Sequence, residues 1–241
     1  MSSAPKWTSG IFSIGYKLVQ GLNWHWVQTH PPLPAQFAEL IAKRNERLAR
    51  VRPQRTEPIP VELDAVLQEI EKALAAKLYY LAIAVALSVP DICACLEFDP
   101  DNPSWANRKT YTDWCNNNIK GMPRLTGDDL YNLRGGALHK GHFGHPKSQF
   151  NRVIFIGPES AIKMHGMLLN GEMRLGPNAE VWKGPILGLG VAEFCETIID
   201  SARDWVLAKK DDPFVQRNLP TLVRFRPDGL PPFSKGVPTV G

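Results

Sequence analysis

Apolar residues recur at intervals of three and four between Val61 and Ser88: Leu63, Val66, Leu67, Ile70, Leu74, Leu78 and Leu81. That spacing predicts one long helix with a single buried stripe. From Leu78 to Leu87 the segment is apolar nearly all round, which suits the middle of a bundle or a subunit interface. Pro90 is expected to end it. Asn102-Pro103 supplies a cap followed by proline at the first helical position, so a helix over 103–119 is expected, with Trp105, Tyr111, Trp114 and Cys115 in the core. Thr126 with Asp129 three residues on resembles a capping box and opens a helix over 127–140 that stops near Gly141. The texture then changes. Arg152–Ile156, Met164–Leu169 and Val181–Leu187 read as strands between Gly, Asn and Pro turns. Val191–Lys209 is again helical, with Val191, Phe194, Cys195, Ile198, Ile199, Ala202, Trp205 and Val206 on one face.

The ends read differently. Ala35–Val51 is an amphipathic helix whose polar side carries Lys43, Arg44, Arg47 and Arg50, and a proline-containing linker follows it. Residues 1–56 carry a net charge of +6, 57–212 of −5 and 213–241 of +3, within a chain of net +4. Basic ends meet nucleic acid or dock on the acidic middle. The basic helix can follow a nucleic-acid backbone, or it can be a solvated face. Residues 211–241, with six of the 21 prolines, read as an extended tail. The fold class expected is mainly α: a helical bundle over 57–210, a small β-rich insertion near 150–188, and a basic N-terminal extension over 1–56.

With 241 residues, 44% hydrophobic and 22% charged, the chain is neither disordered, collagen-like nor a coiled-coil rod. Its four cysteines, Cys93, Cys95, Cys115 and Cys195, are too few and scattered for a disulfide framework or a cysteine zinc site. Reduced thiols in a cytoplasmic protein are expected. No secretory signal is visible, and the apolar, uncharged stretch Leu78–Pro90 falls short of the about 20 residues of a membrane span. No membrane partner is expected. Walker and Gly-x-Ser-x-Gly patterns do not occur.

The segment Tyr131-Asn-Leu-Arg-Gly-Gly-Ala-Leu-His139-Lys-Gly invites a chemical reading. RNA cleavage by the 2′-hydroxyl needs a base, an acid and a cation on the phosphorane. Histidine serves as acid or base near neutral pH, and arginine grips phosphate. No metal or cofactor is then required. On one helix Arg134 and His139 stand about 140° apart and about 7.5 Å along the axis, so they do not share a face. Asn132 and His139 do. Two copies meeting across a two-fold axis would share one cleft. Against this stands a structural reading: Arg134 pairs with an acid such as Asp91 or Glu97, and His139 caps its helix. His139, His142 and His145, with His165, form a second constellation whose spacing can suit zinc, although Gly141 and Gly144 break the helical geometry.

Arg-x4-His near the end of a late helix, in the setting Leu-Arg-x4-His-x-Gly, resembles the HEPN domains. The resemblance implies a dimerising α-helical bundle. It implies a metal-independent endoribonuclease in antiviral defence, toxin–antitoxin or RNA-processing systems, or else a non-catalytic scaffold for a partner protein or nucleic acid. Arg134 and His139 inherit the catalytic roles. Tyr131 and Asn132 are expected to line the cleft, and Lys43, Arg44, Arg47 and Arg50 to add RNA affinity. RNA, a second copy and an antitoxin-like protein are the expected partners. Active members often carry a polar residue directly after the arginine. Here Gly135 and Gly136 follow, each costing a helix interior about 1 kcal/mol, which signals that something packs closely there.

Overall fold

The apolar run after Leu78 does become the centre of a bundle. The computed structural model describes residues 57–144, 148–160, 164–174 and 181–241. The basic helix expected over 35–51, with Lys43, Arg44, Arg47 and Arg50, lies outside them. Residues Glu57–Gly241 form one unit. Helix dominates: α1 (Val61–Ala75), α2 (Tyr79–Leu96), α3 (Arg108–Asn118), α4 (Gly127–Lys140), α5 (Val191–Ala208) and α6 (Pro213–Asn218). The strands are short: β1 (Arg152–Ile156), β2 (Met167–Leu169), β3 (Glu172–Arg174), β4 (Val181–Lys183), β5 (Ile186–Gly190), β6 (Phe225–Arg226) and β7 (Thr239–Val240). The mainly-α expectation therefore holds, with the strands gathered after α4.

α2 packs against α1, α3, α4, α5 and α6. Ala82, Ile83, Ala86, Leu87, Val89 and Cys93 are all buried. By length and a mean hydropathy of 1.8 this helix could cross a membrane, but 56% of it is buried inside the fold. Two expectations about it are corrected. The single helix over 61–88 is broken at Lys77, which takes a left-handed φ of 60°. There the N–H groups of Lys77 and Leu78 donate back to the carbonyls of Leu74 and Ala73, closing a Schellman turn. No glycine marks this turn, so the apolar repeat reads straight through it. Pro90, expected to end the helix, lies inside it. Proline in a helix interior costs about 3 kcal/mol. Continuing to Leu96 buries Cys93, Ala94 and Leu96, and a fully buried leucine alone contributes about 1.5–3 kcal/mol.

α3 starts five residues later than expected. Asn107 is its cap: the Asn107 side chain accepts from Thr110 N–H, and the Thr110 hydroxyl accepts from Asn107 N–H. Tyr111, Trp114 and Cys115 are buried as expected, but Trp105 is left outside the helix at 89% exposure. α4 opens at the expected Thr126/Asp129 capping box and ends at Gly141, whose φ is 66°. The tail is corrected too. Asp212 caps α6 with Pro213 at its first position, and Val215 and Leu219 enter the core. Beyond them β6 and β7 pair antiparallel.

β5 is the centre of a three-stranded sheet, parallel to β1 and antiparallel to β2. The expected strand 181–187 is divided by Gly184-Pro185 into β4, which pairs with β3, and β5. An aromatic series ties the sheet to the bundle: Tyr80 of α2, Phe143, Phe155 of β1 and Phe194 of α5, with successive centroids 6.1, 4.8 and 5.0 Å apart. The loop bearing Phe143 crosses α4 at Gly136. A Cβ there would sit 2.6 Å from the His142 carbonyl oxygen and 3.0 Å from that of Gly144. The close packing signalled by the double glycine belongs to Gly136; Gly135 faces open space.

The two glycines should respond oppositely to alanine. Gly135→Ala should raise unfolding free energy by about 0.5–1 kcal/mol, because it gains helix propensity without a clash. Gly136→Ala should lower it by roughly 1–3 kcal/mol, because backbone must move. Urea titration of both variants checks this; equal shifts would show that the loop does not bear on α4.

Candidate functional site

Arg134 points inward from the middle of α4 and meets Asp91 of α2 in an ion pair through Nε. The two side chains are 25% and 19% exposed. The continuation of α2 through Pro90 is what puts Asp91 opposite α4. The guanidinium also lies 5.8 Å from the ring centroids of both Tyr111 and Tyr131, within the range of cation–π attraction. Those two rings meet edge to face at 5.4 Å. Tyr111 is anchored in turn, its hydroxyl donating to the Leu87 carbonyl at 3.0 Å. Arg134 is thus fixed on three sides. Its pairing with Asp91 is the structural alternative that the sequence allowed.

Burial pushes the Asp91 carboxyl above the ordinary aspartate range, and the neighbouring Arg134 charge only partly offsets this. The ionised carboxylate is therefore not fully compensated by its partner.

Tyr131 carries a second guanidinium. Arg108, the first residue of α3, lies 5.1 Å from its ring centroid. Arg108 Nη1 donates to Asn132 Oδ1 at 3.4 Å, and Nε and Nη2 donate to one oxygen of Asp128 at 2.9 and 2.7 Å. Tyr131 accordingly stands beside both arginines, partly buried. Asn132, expected to line the cleft, is only 3% exposed and turned toward α3. Arg108 was missed because the helix was started too early. The Asn107-x-x-Thr110 box was the signal that would have placed it at a helix start.

His139 stands exposed in the last turn of α4. No hydrogen bond or ion pair joins it to Arg134 among the described residues. It shares a helical face with Asn132, yet His139 is exposed while Asn132 is buried toward Arg108 of α3. Near it α2 begins: the Tyr80 hydroxyl donates to the Ala137 carbonyl. Leu78, Tyr80, Leu81 and Leu138 are 41–51% exposed.

Among the described residues no three His, Cys, Asp or Glu side chains are grouped to hold a metal ion. His142 follows the left-handed Gly141, and its N–H donates to the Gly136 carbonyl; His145 lies outside the described residues. His165 lies in the turn before β2, where its Nδ1 accepts from Gly190 N–H at 3.3 Å. The cysteines are free thiols. Burial pushes Cys195 up to about 12 and raises Cys93 and Cys115 as well, so none is poised as a nucleophile. Comparison of the chain with protein-family models, with curated proteins and with solved structures finds no match.

The raised Asp91 predicts a pH effect. A carboxyl whose folded pKa lies above its unfolded value binds its proton more tightly in the fold, so stability falls as pH rises through the folded pKa. The loss starts from the ordinary aspartate range and moves upward. Arg134→Met removes the offsetting charge, so the loss should be larger and extend to higher pH. Asp91→Asn should lack this component. Unfolding free energies measured against pH for the three proteins check this; a variant Arg134→Met with the wild-type profile would contradict the electrostatic coupling.

Proposed function

We propose that the chain is a metal-independent endoribonuclease of the HEPN type, cytoplasmic and homodimeric, in an antiviral-defence, toxin or RNA-processing role. The observation that carries this reading is the pairing of a pinned but still quarter-exposed Arg134 with an exposed His139 on one helix. Asp91 engages the Nε edge of the guanidinium, and the Nη1/Nη2 edge suits a two-point grip on a phosphate.

In the reaction the 2′-oxygen attacks phosphorus as a base takes its proton. The 5′-oxygen leaves as an acid supplies one. The products are a 2′,3′-cyclic phosphate and a 5′-hydroxyl. One imidazole cannot do both in a single step. His139 and the partner subunit's His139 would divide the roles, while Arg134 stabilises the phosphorane. Leu78, Tyr80 and Leu81 at the start of α2 and Leu138 at the end of α4 are exposed apolar side chains, and Tyr80 ties the two helix ends together, which supports self-association there.

A second reading is favoured by the Arg134–Asp91 pair itself: the arginine is structural, and the domain is a non-catalytic binding module for a partner protein or nucleic acid.

Purified protein should cleave RNA in EDTA and leave 2′,3′-cyclic phosphate ends. His139→Ala and Arg134→Ala should each lose roughly 10²–10⁴-fold in rate, with His139→Ala keeping the wild-type melting behaviour. Absence of cleavage, or equal cleavage by the variants, selects the binding module. Leu81→Glu combined with Leu138→Glu should give a monomer that does not cleave, as read by sedimentation and the same assay.

A further inference from the structure

Trp105 is the most exposed large apolar side chain among the described residues, at 89%. Its neighbourhood is not loose. The N–H of Ala106 donates to Cys95 Sγ at 3.3 Å, and Asn107 is tied to Thr110 by both halves of the capping box. An indole is thus held out into solvent on a fixed backbone. Three residues later comes Arg108, at most about 11 Å along the chain. Its ion pair with Asp128 is open to water, with the two side chains 45% and 63% exposed. Such surface pairs contribute about 0–1 kcal/mol and exchange readily for another anion. Arg134, by contrast, is fixed. Both arginines approach the same Tyr131 ring.

We propose that the start of α3 is a single-stranded RNA binding position. A base stacks on Trp105, and the Nε/Nη2 edge of Arg108 takes a backbone phosphate in place of Asp128. Tyr131 links this position to Arg134. Stacking on an indole requires an unpaired base, so the strand is single. Asp128 is the built-in competitor that any phosphate must displace. The inference rests on the RNA-directed reading above but needs no cleavage.

The test is the affinity of the full chain for a 2′-O-methyl RNA oligonucleotide, which cannot be cut, read by fluorescence anisotropy. Trp105→Ala and Arg108→Ala should each weaken binding about fivefold to a hundredfold, and Trp105→Phe should bind nearly as wild type. Arg108→Ala should also lower the slope of log affinity against log salt by about 0.7. Arg108→Lys keeps the charge but loses the two-nitrogen grip, and should bind more weakly with the slope retained. Asp128→Asn should bind more tightly, and the gain should disappear in the double variant with Arg108→Ala, a dependence that a merely structural Arg108 would not produce. Unchanged affinity in both Trp105→Ala and Arg108→Ala, or no binding by the wild type, would overturn the proposal. Wild-type binding that depends on these residues, without cleavage of ordinary RNA, upholds it and removes the nuclease reading instead.

Discussion

An 18-residue helix with one charged residue, Asp91, has to be covered by the rest of a short chain. That burial organises the molecule. α1, α3, α4, α5 and α6 all pack on α2, and the helix is continued through an interior proline because its last turn still has apolar surface to bury. The same constraint creates the site. Asp91 is carried by the core helix into a partly buried position, and a carboxylate there needs a cation beside it. Arg134 supplies it. The centre of the candidate chemistry is therefore also part of the fold's own charge compensation.

α4 has to come close enough to α2 for that pair to form. Two glycines let its other neighbours, α3 and the returning loop, come close toward its ends. At Gly127 a Cβ would sit 2.5 Å from the Thr112 carbonyl oxygen of α3, and at Gly136 the returning loop occupies the same kind of space. Asp129 fixes the helix start. Burial raises its carboxyl, but hydrogen bonds from Thr126 and Gln149 outweigh this and hold it below the usual range. It bonds Thr126 within the cap and Ser148 and Gln149 beyond it. With α4 held at Asp129 and at Gly136, Arg134 meets Asp91 and two tyrosine rings, while Leu138, His139 and Lys140 stay exposed.

Much of the helical part was legible because its signals are local. The Thr126/Asp129 box marked α4, and the apolar face of α5 lies buried residue for residue. What was not legible depends on tertiary balance. Nothing in Ala75-Ala-Lys-Leu78 marks a turn, since a lysine in a left-handed conformation leaves no compositional trace. Pro90 reads as a stop, and only the burial available beyond it overrides the stop. With the helix stopped there, Asp91 could be named beside Glu97 as a partner of Arg134, but nothing chose between the two. Likewise Asn102-Pro103 is a plausible start that loses to Asn107 with Thr110, and the loss turns Trp105 from a core residue into an exposed one. Prolines after residue 212 concealed the Asp212-Pro213 start of α6.

Two arginines beside one tyrosine need not do the same work. Attraction between opposite charges strengthens as water is withdrawn, and so does the cost of leaving either charge alone. Arg134 sits where that cost is high, so its orientation is set by the fold itself. Arg108 sits in water with an exposed carboxylate, where exchange is easy and the grip is weak. On the proposed reading the exchangeable cation and the open indole would collect a strand, and the preorganised cation would stabilise the charge developing on it. The same division explains why the motif alone was ambiguous. Read on one helix, Arg134 and His139 are either a catalytic pair or a salt-bridge residue and a helix cap. The Asp91 pairing accounts for Arg134 as a salt-bridge residue, so the group on which the two readings part is the exposed His139.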